Sequence, residues 1–148
     1  LAPVEAPAEV ADLLRAHLEQ GAVITESQRA AAGAIVRRQV LGDEHLDGAG
    51  DAPTAFTRDF DDLVTQYAWG SVWSRPGLDR RTRSIIALTA LVAQRDHDEL
   101  ATHVRAALRN GVSVEELVLQ TAVHCGMPAA AAAFRVAQEA LRADGVEL

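Results

Sequence analysis

An all-α fold is what this sequence predicts, on three observations. Apolar residues make up 49% of the chain, much of it alanine, while aromatic residues are only 4%, a balance that suits close-packed helices better than a β-sandwich. Apolar positions recur three and four residues apart in successive segments, the spacing of one helical face. Helix start and stop signals bracket those segments. At 148 residues there is room for one real core, since a chain of this length buries roughly 68–70% of the surface it exposes when unfolded.

In chain order, LAPVEAPAEVADLLRAHL has an entry punctuated by Ala-Pro and then Val10, Leu13, Leu14 and Leu18 at helical spacing. A second helix is predicted over Glu26–Leu41. The following GDEHLDGAGDAP, rich in Gly and Asp, predicts a surface loop. Phe56, Phe60, Leu63, Val64 and Tyr67 recur at three and four, which predicts an amphipathic helix over 56–73 that stops near SRPGLD. Asp79 can cap a helix over Arg80–Gln94, whose IIALTALVA run is apolar nearly all round and so should be central. Leu100, Val104, Ala107 and Leu108 form a stripe on a helix that stops at Asn110-Gly111. Ser113 with Glu116 reads as a capping box for a helix through His124, and Pro128 opens a last, Ala-rich helix. One helical domain is expected over 21–148, with 1–20 as a separate tail.

The formal net charge of −7 opposes binding to nucleic acid or anionic membrane, so neither is an expected partner, and small molecules are. A single cysteine, Cys125, allows no intrachain disulfide and no Cys-based zinc site. No apolar run reaches 18 residues, and no signal-peptide pattern opens the chain, so a cytoplasmic location is expected. Leu1 stands where a Met would begin a gene product, so an upstream segment is expected.

The chemistry concentrates in RDHDELATH. On a helix, at about 100° per residue, Asp96, Glu99 and His103 fall within about 60° of one another, beside Leu100 and Ala107. His97 points elsewhere. An imidazole or carboxyl at the edge of a buried face has its protonation tuned by burial and neighbours, as proton transfer near neutral pH requires. The same pair also occurs as an ordinary helix-edge contact. His97 and His103, about 120° apart around the helix, lack the four-residue spacing of a zinc pair, so no metal is expected. His124 and Cys125, adjacent on a helix, do not face each other as a nucleophilic pair would. Trp69 and Trp73 read as core or interface anchors. Arg75, Arg80, Arg81 and Arg83 surround a turn and a helix start, where guanidinium groups can bind carboxylates.

Read together, YAWGSVWSRPGLDRRTRSIIALTALVA, DELATHVRAALRNGVSVEEL and AVHCGMPAAAAAFRVAQ resemble, in order and spacing, the carboxymuconolactone decarboxylase family of the alkylhydroperoxidase-like superfamily. VRRQVLGDEHLD extends the likeness, which covers about residues 28 to 142. The resemblance implies an alkylhydroperoxidase-like helical bundle, assembled as a homo-oligomer (trimer or hexamer). It implies decarboxylation, without a cofactor, of a dicarboxylate lactone, 4-carboxymuconolactone, to 3-oxoadipate enol-lactone in the protocatechuate branch of the β-ketoadipate pathway. His103 and Glu99 are then the catalytic candidates, and Arg75, Arg83, Trp73 and His124 the substrate-binding ones. Superfamily peroxidases carry Cys-x-x-Cys-x-x-x-His where this chain has Asp96, Glu99 and His103, so carboxylates replace the redox thiols. His124 and Cys125 depart from the family's more usual Tyr-Ala. The LAPVEAPAEV tail resembles the end of an α/β-hydrolase, which implies an upstream fusion with 3-oxoadipate enol-lactone hydrolase. A non-catalytic helical oligomer or a thiol peroxidase relative are the alternatives.

Overall fold

The computed structural model describes residues 7–48 and 52–148, and every regular element among them is helical. The chain divides into two compact units, Leu1–Gly77 and Leu78–Leu148. No helix among the described residues is long and apolar enough to cross a membrane.

The first unit holds α1 (Pro7–Gln20), α2 (Glu26–Leu41), α3 (Asp43–Gly48) and α4 (Arg58–Val64), which runs on into a π-helical segment, Thr65–Trp73. Val10 and Leu14 of α1 are buried with Ala32 of α2, and Leu18, Ile24 and Ile35 pack around them. The capping box at Thr25 explains why α2 starts where it does. Its hydroxyl accepts the Gln28 N–H at 3.1 Å, while its own N–H donates to the Gln28 side chain at 2.9 Å. Two glycines let α2 and the π segment meet backbone to backbone. A Cβ on Gly33 would lie 2.0 Å from the Thr65 carbonyl oxygen, and one on Gly70 would lie 2.5 Å from that of Arg29.

Two expectations change here. Asp43–Gly48, read as loop, is a short helix that begins with two acids, Asp43 and Glu44, where the helix dipole favours them; residues 49–51 of that stretch lie outside the described residues, and Ala52 and Pro53 are irregular. The helix expected over 56–73 starts at Arg58 and changes to π geometry at Thr65. Its apolar stripe faces outward, with Phe56, Phe60, Leu63 and Tyr67 exposed. Spacing locates a face; it does not say what covers that face.

The second unit packs α5 (Arg80–Gln94), α6 (His97–Arg109), α7 (Val114–Cys125) and α8 (Met127–Ala143) around one core. Leu88, Val92, Leu100, Val104, Val118 and Ala133 are buried at its centre. The Asp79 carboxylate caps α5 by accepting the Thr82 N–H at 2.6 Å. Helix α5 buries one face, Ser84, Leu88 and Val92, and leaves Ile86 exposed; the all-round burial expected from its composition is absent. Buried Ser84 is satisfied by Asn110, whose side-chain amide donates to its hydroxyl at 3.0 Å. The Ser113 hydroxyl caps α7. Alanines 129, 130, 132, 133, 137 and 140 form the buried face of α8 and permit close packing.

Candidate active site

Arg95, left-handed at φ 58°, closes α5, and Asp96 opens α6 one residue later. The Asp96 carboxylate accepts the Glu99 N–H at 3.2 Å. It is therefore the N-cap of α6 and lies outside the helix, a correction to its placement on the helical face with Glu99 and His103. Asp is among the strongest N-cap residues, and this bond satisfies a helix-end donor that would otherwise lack a partner.

Within α6, Leu100 and Val104 are buried in the core and fix the orientation of the helix. His103 and Glu99 are one turn apart, with His103 Nε2 3.8 Å from Glu99 Oε2. Their surroundings differ sharply: the imidazole is 14% exposed and the carboxylate 62%. At 3.8 Å a protonated ring has a counter-charge at ion-pair distance, and the exposed Glu99 has freedom to close to hydrogen-bond length. The arrangement suits a largely buried proton donor with a solvent-facing carboxylate one turn away. His97 is exposed.

The arginines divide by role. Arg81 donates through Nε to the Gly111 carbonyl at 3.1 Å and ties α5 to the α6–α7 connection. Arg83 donates through Nε to the Leu78 carbonyl at 3.2 Å, which fixes its guanidinium beside the turn. Arg80 is half-buried, and burial, with the positive charge of Arg83, lowers its pKa from the usual arginine value. Arg80 belongs to the basic group seen in the sequence but was not singled out there; the clue was its position as first residue of α5, next to a capping Asp.

His124 is exposed on the last turn of α7, while Cys125 packs partly against the core. The two point apart, as adjacent helical residues do. Trp73 and Arg75 belong to the first unit. Trp73 is half-buried, with its ring centroid 5.1 Å from that of buried Trp69 and tilted by 32°. Arg75 is exposed in the turn that follows. Sequence reading did not find the residues that hold this stretch, Arg29, Ser71, Gly33 and Gly70. An isolated glycine inside each of two helical patterns was the available signal.

A family model for the carboxymuconolactone decarboxylase family matches residues 58–139, more than half of the chain. The chain is 38% identical over 126 residues to 4-carboxymuconolactone decarboxylase of Acinetobacter baylyi, covering 83% of this chain and 94% of that one. It is 43% identical over 112 residues to nitrosuccinic acid decarboxylase of Metarhizium robertsii, covering 74% of this chain and 78% of that one. With an all-α fold of the alkylhydroperoxidase-like kind, this chain belongs to the carboxymuconolactone decarboxylase family and is an enzyme of the carboxy-lyase class.

Proposed function

We propose that the protein decarboxylates 4-carboxymuconolactone to 3-oxoadipate enol-lactone without a cofactor, in the protocatechuate branch of the β-ketoadipate pathway. The observation that carries this reading is the 38% identity to the Acinetobacter enzyme over 94% of its length.

The chemistry explains what the site must supply. The departing carboxylate sits γ to an α,β-unsaturated lactone carbonyl. As its C–C bond breaks, the electron pair delocalises into the ring as a dienolate, and CO₂ leaves. The lactone is the electron sink. One proton then adds to the ring α-carbon to give the enol-lactone, with the second carboxylate retained. The protein has to hold that second carboxylate, stabilise charge on the lactone oxygen and deliver the proton. In this reading His103 delivers it and Glu99 orients and recharges the ring. Arg75 and Trp73 on the first unit, and Arg83 and His124 on the second, are the proposed substrate-binding residues, the arginines for the retained carboxylate. The active assembly is a homo-oligomer, trimer or hexamer.

The second relative motivates a rival substrate. A nitro group next to a departing carboxylate accepts the electron pair as a nitronate, so a proton-delivering site of this kind also meets the needs of nitrosuccinic acid. Assay of the purified chain on both acids, with CO₂ release followed, separates the two. A preference of about 10²-fold or more in kcat/KM for the lactone is expected; a preference for nitrosuccinic acid would assign the protein to the other reaction.

A further inference from the structure

Among the described residues of the first unit, the backbone leaves α-helical geometry for a π-helix at Thr65–Trp73. π-helices occur mostly as single-turn bulges and are enriched at functional sites. Nine residues of π geometry, Thr65–Trp73, therefore need something outside the segment to hold them.

A chain of side-chain hydrogen bonds meets that need. Arg29 of α2 donates through Nη1 to the Ser71 hydroxyl at 2.9 Å, and the hydroxyl donates to the Gln66 carbonyl at 3.0 Å. In an α-helix a serine hydroxyl bonds back to the carbonyl four residues earlier, here Tyr67. Ser71 reaches the fifth instead, the same step that defines a π turn. Arg29 is itself oriented from α1, since its Nη2 donates to His17 Nε2 at 3.4 Å while His17 Nδ1 donates to the Ala22 carbonyl. Gly33 and Gly70 bring the two backbones close enough for Arg29 to reach.

The register matters for what lies downstream. A π turn contains one residue more than an α turn, so a relaxation to α geometry would rotate Trp73 and Arg75 by about 100° around the helix axis. We propose that the Arg29–Ser71–Gln66 chain is a positioning device that holds the π register and thereby sets where Trp73 and Arg75 meet substrate. The inference rests on the reading above, in which those two residues bind the lactone.

Trp69 and Trp73 supply a readout independent of substrate. They are the two tryptophans of the chain, and their rings lie 5.1 Å apart, close enough for an exciton couplet in circular dichroism. The test compares the full-length parent with Ser71→Ala, Ser71→Thr and Arg29→Gln. Ser71→Ala is expected to keep its helical content, lose most of the couplet and raise KM for the lactone by about tenfold with kcat little changed. Ser71→Thr restores the hydroxyl and with it both properties. Arg29→Gln, which leaves the Ser71–Gln66 bond in place, is expected to move both readouts in the same direction and carries the test if Ser71→Ala does not fold. A folded variant with the parent's couplet overturns the proposal, and so does a lost couplet with unchanged KM. A lost couplet in a protein whose parent does not turn over the lactone overturns the substrate reading and supports the register device.

Discussion

His103 and His97 share one helix and differ in what surrounds them, and Arg83 and Arg81 repeat that contrast on α5. Arg81 is tied to a backbone carbonyl of the α6–α7 connection, and Arg83 is held beside the turn next to half-buried Arg80. Arg83→Ala is therefore expected to lower kcat/KM for the lactone by about 1.5–3 kcal/mol, the range for a hydrogen bond to a charged group. Arg81→Ala should lower the melting temperature and leave kcat/KM close to the parent's; steady-state kinetics beside thermal melts checks both. Much of this was legible in the sequence, because a three- or four-residue offset on a helix fixes which side chains are neighbours. Glu99 and His103 could be paired that way. Asp96 could not be placed correctly, because the same wheel extends backwards past the residue where the helix starts.

At the scale of elements, caps decide boundaries, and caps are local enough to be read. Thr25, Asp79 and Ser113 each stand where the sequence pattern expects a start. The backbone N–H of Thr82, and its side chain, hold the Asp79 carboxyl below its ordinary value of 3.8. A folded-state pKa below the unfolded one adds stability that is fully present above the unfolded value and disappears as pH falls through the folded value. Asp79→Asn should thus melt below the parent at neutral pH, and the gap should narrow as pH drops beneath 3.8; a gap independent of pH would rule out the ionised cap. The π segment was not legible, because its geometry depends on contacts with α2, some forty residues away in sequence. Gly33→Ala tests that contact. Its Cβ would meet the Thr65 carbonyl oxygen at 2.0 Å, where backbone cannot give way easily, so a loss of about 1–3 kcal/mol is expected from overpacking. Gly77→Ala, which meets nothing within 4 Å, should be nearly neutral in the same denaturant titration.

At the scale of the whole molecule, the all-α class followed from composition and periodicity, while the outward faces did not. Phe56 is 96% exposed and Val123 72%, and Phe60, Leu63, Tyr67 and Met127 also face outward. On the first unit Phe56, Phe60, Leu63 and Tyr67 form an outward apolar stripe, the kind of surface that marks an interaction site. A periodic stripe reads identically whether its partner is another part of the chain or another copy, so the amphipathic pattern that includes Phe60 and Leu63 does not say what covers it. Sedimentation at micromolar concentration is expected to show a species larger than a dimer, and a fully active monomer would contradict an assembly needed for function. In the proposed reaction the α6 histidine delivers the proton that completes turnover of the lactone, and stopped-time CO₂ release from 4-carboxymuconolactone tests that role most directly, with the parent, His103→Ala and His97→Ala run side by side. The parent should release one CO₂ per lactone consumed, His97→Ala should stay near the parent, and His103→Ala should fall by about 10²–10⁴-fold in kcat while melting like the parent. A folded His103→Ala protein that releases CO₂ at the parental rate would contradict the account and move the proton donor to Glu99 or water.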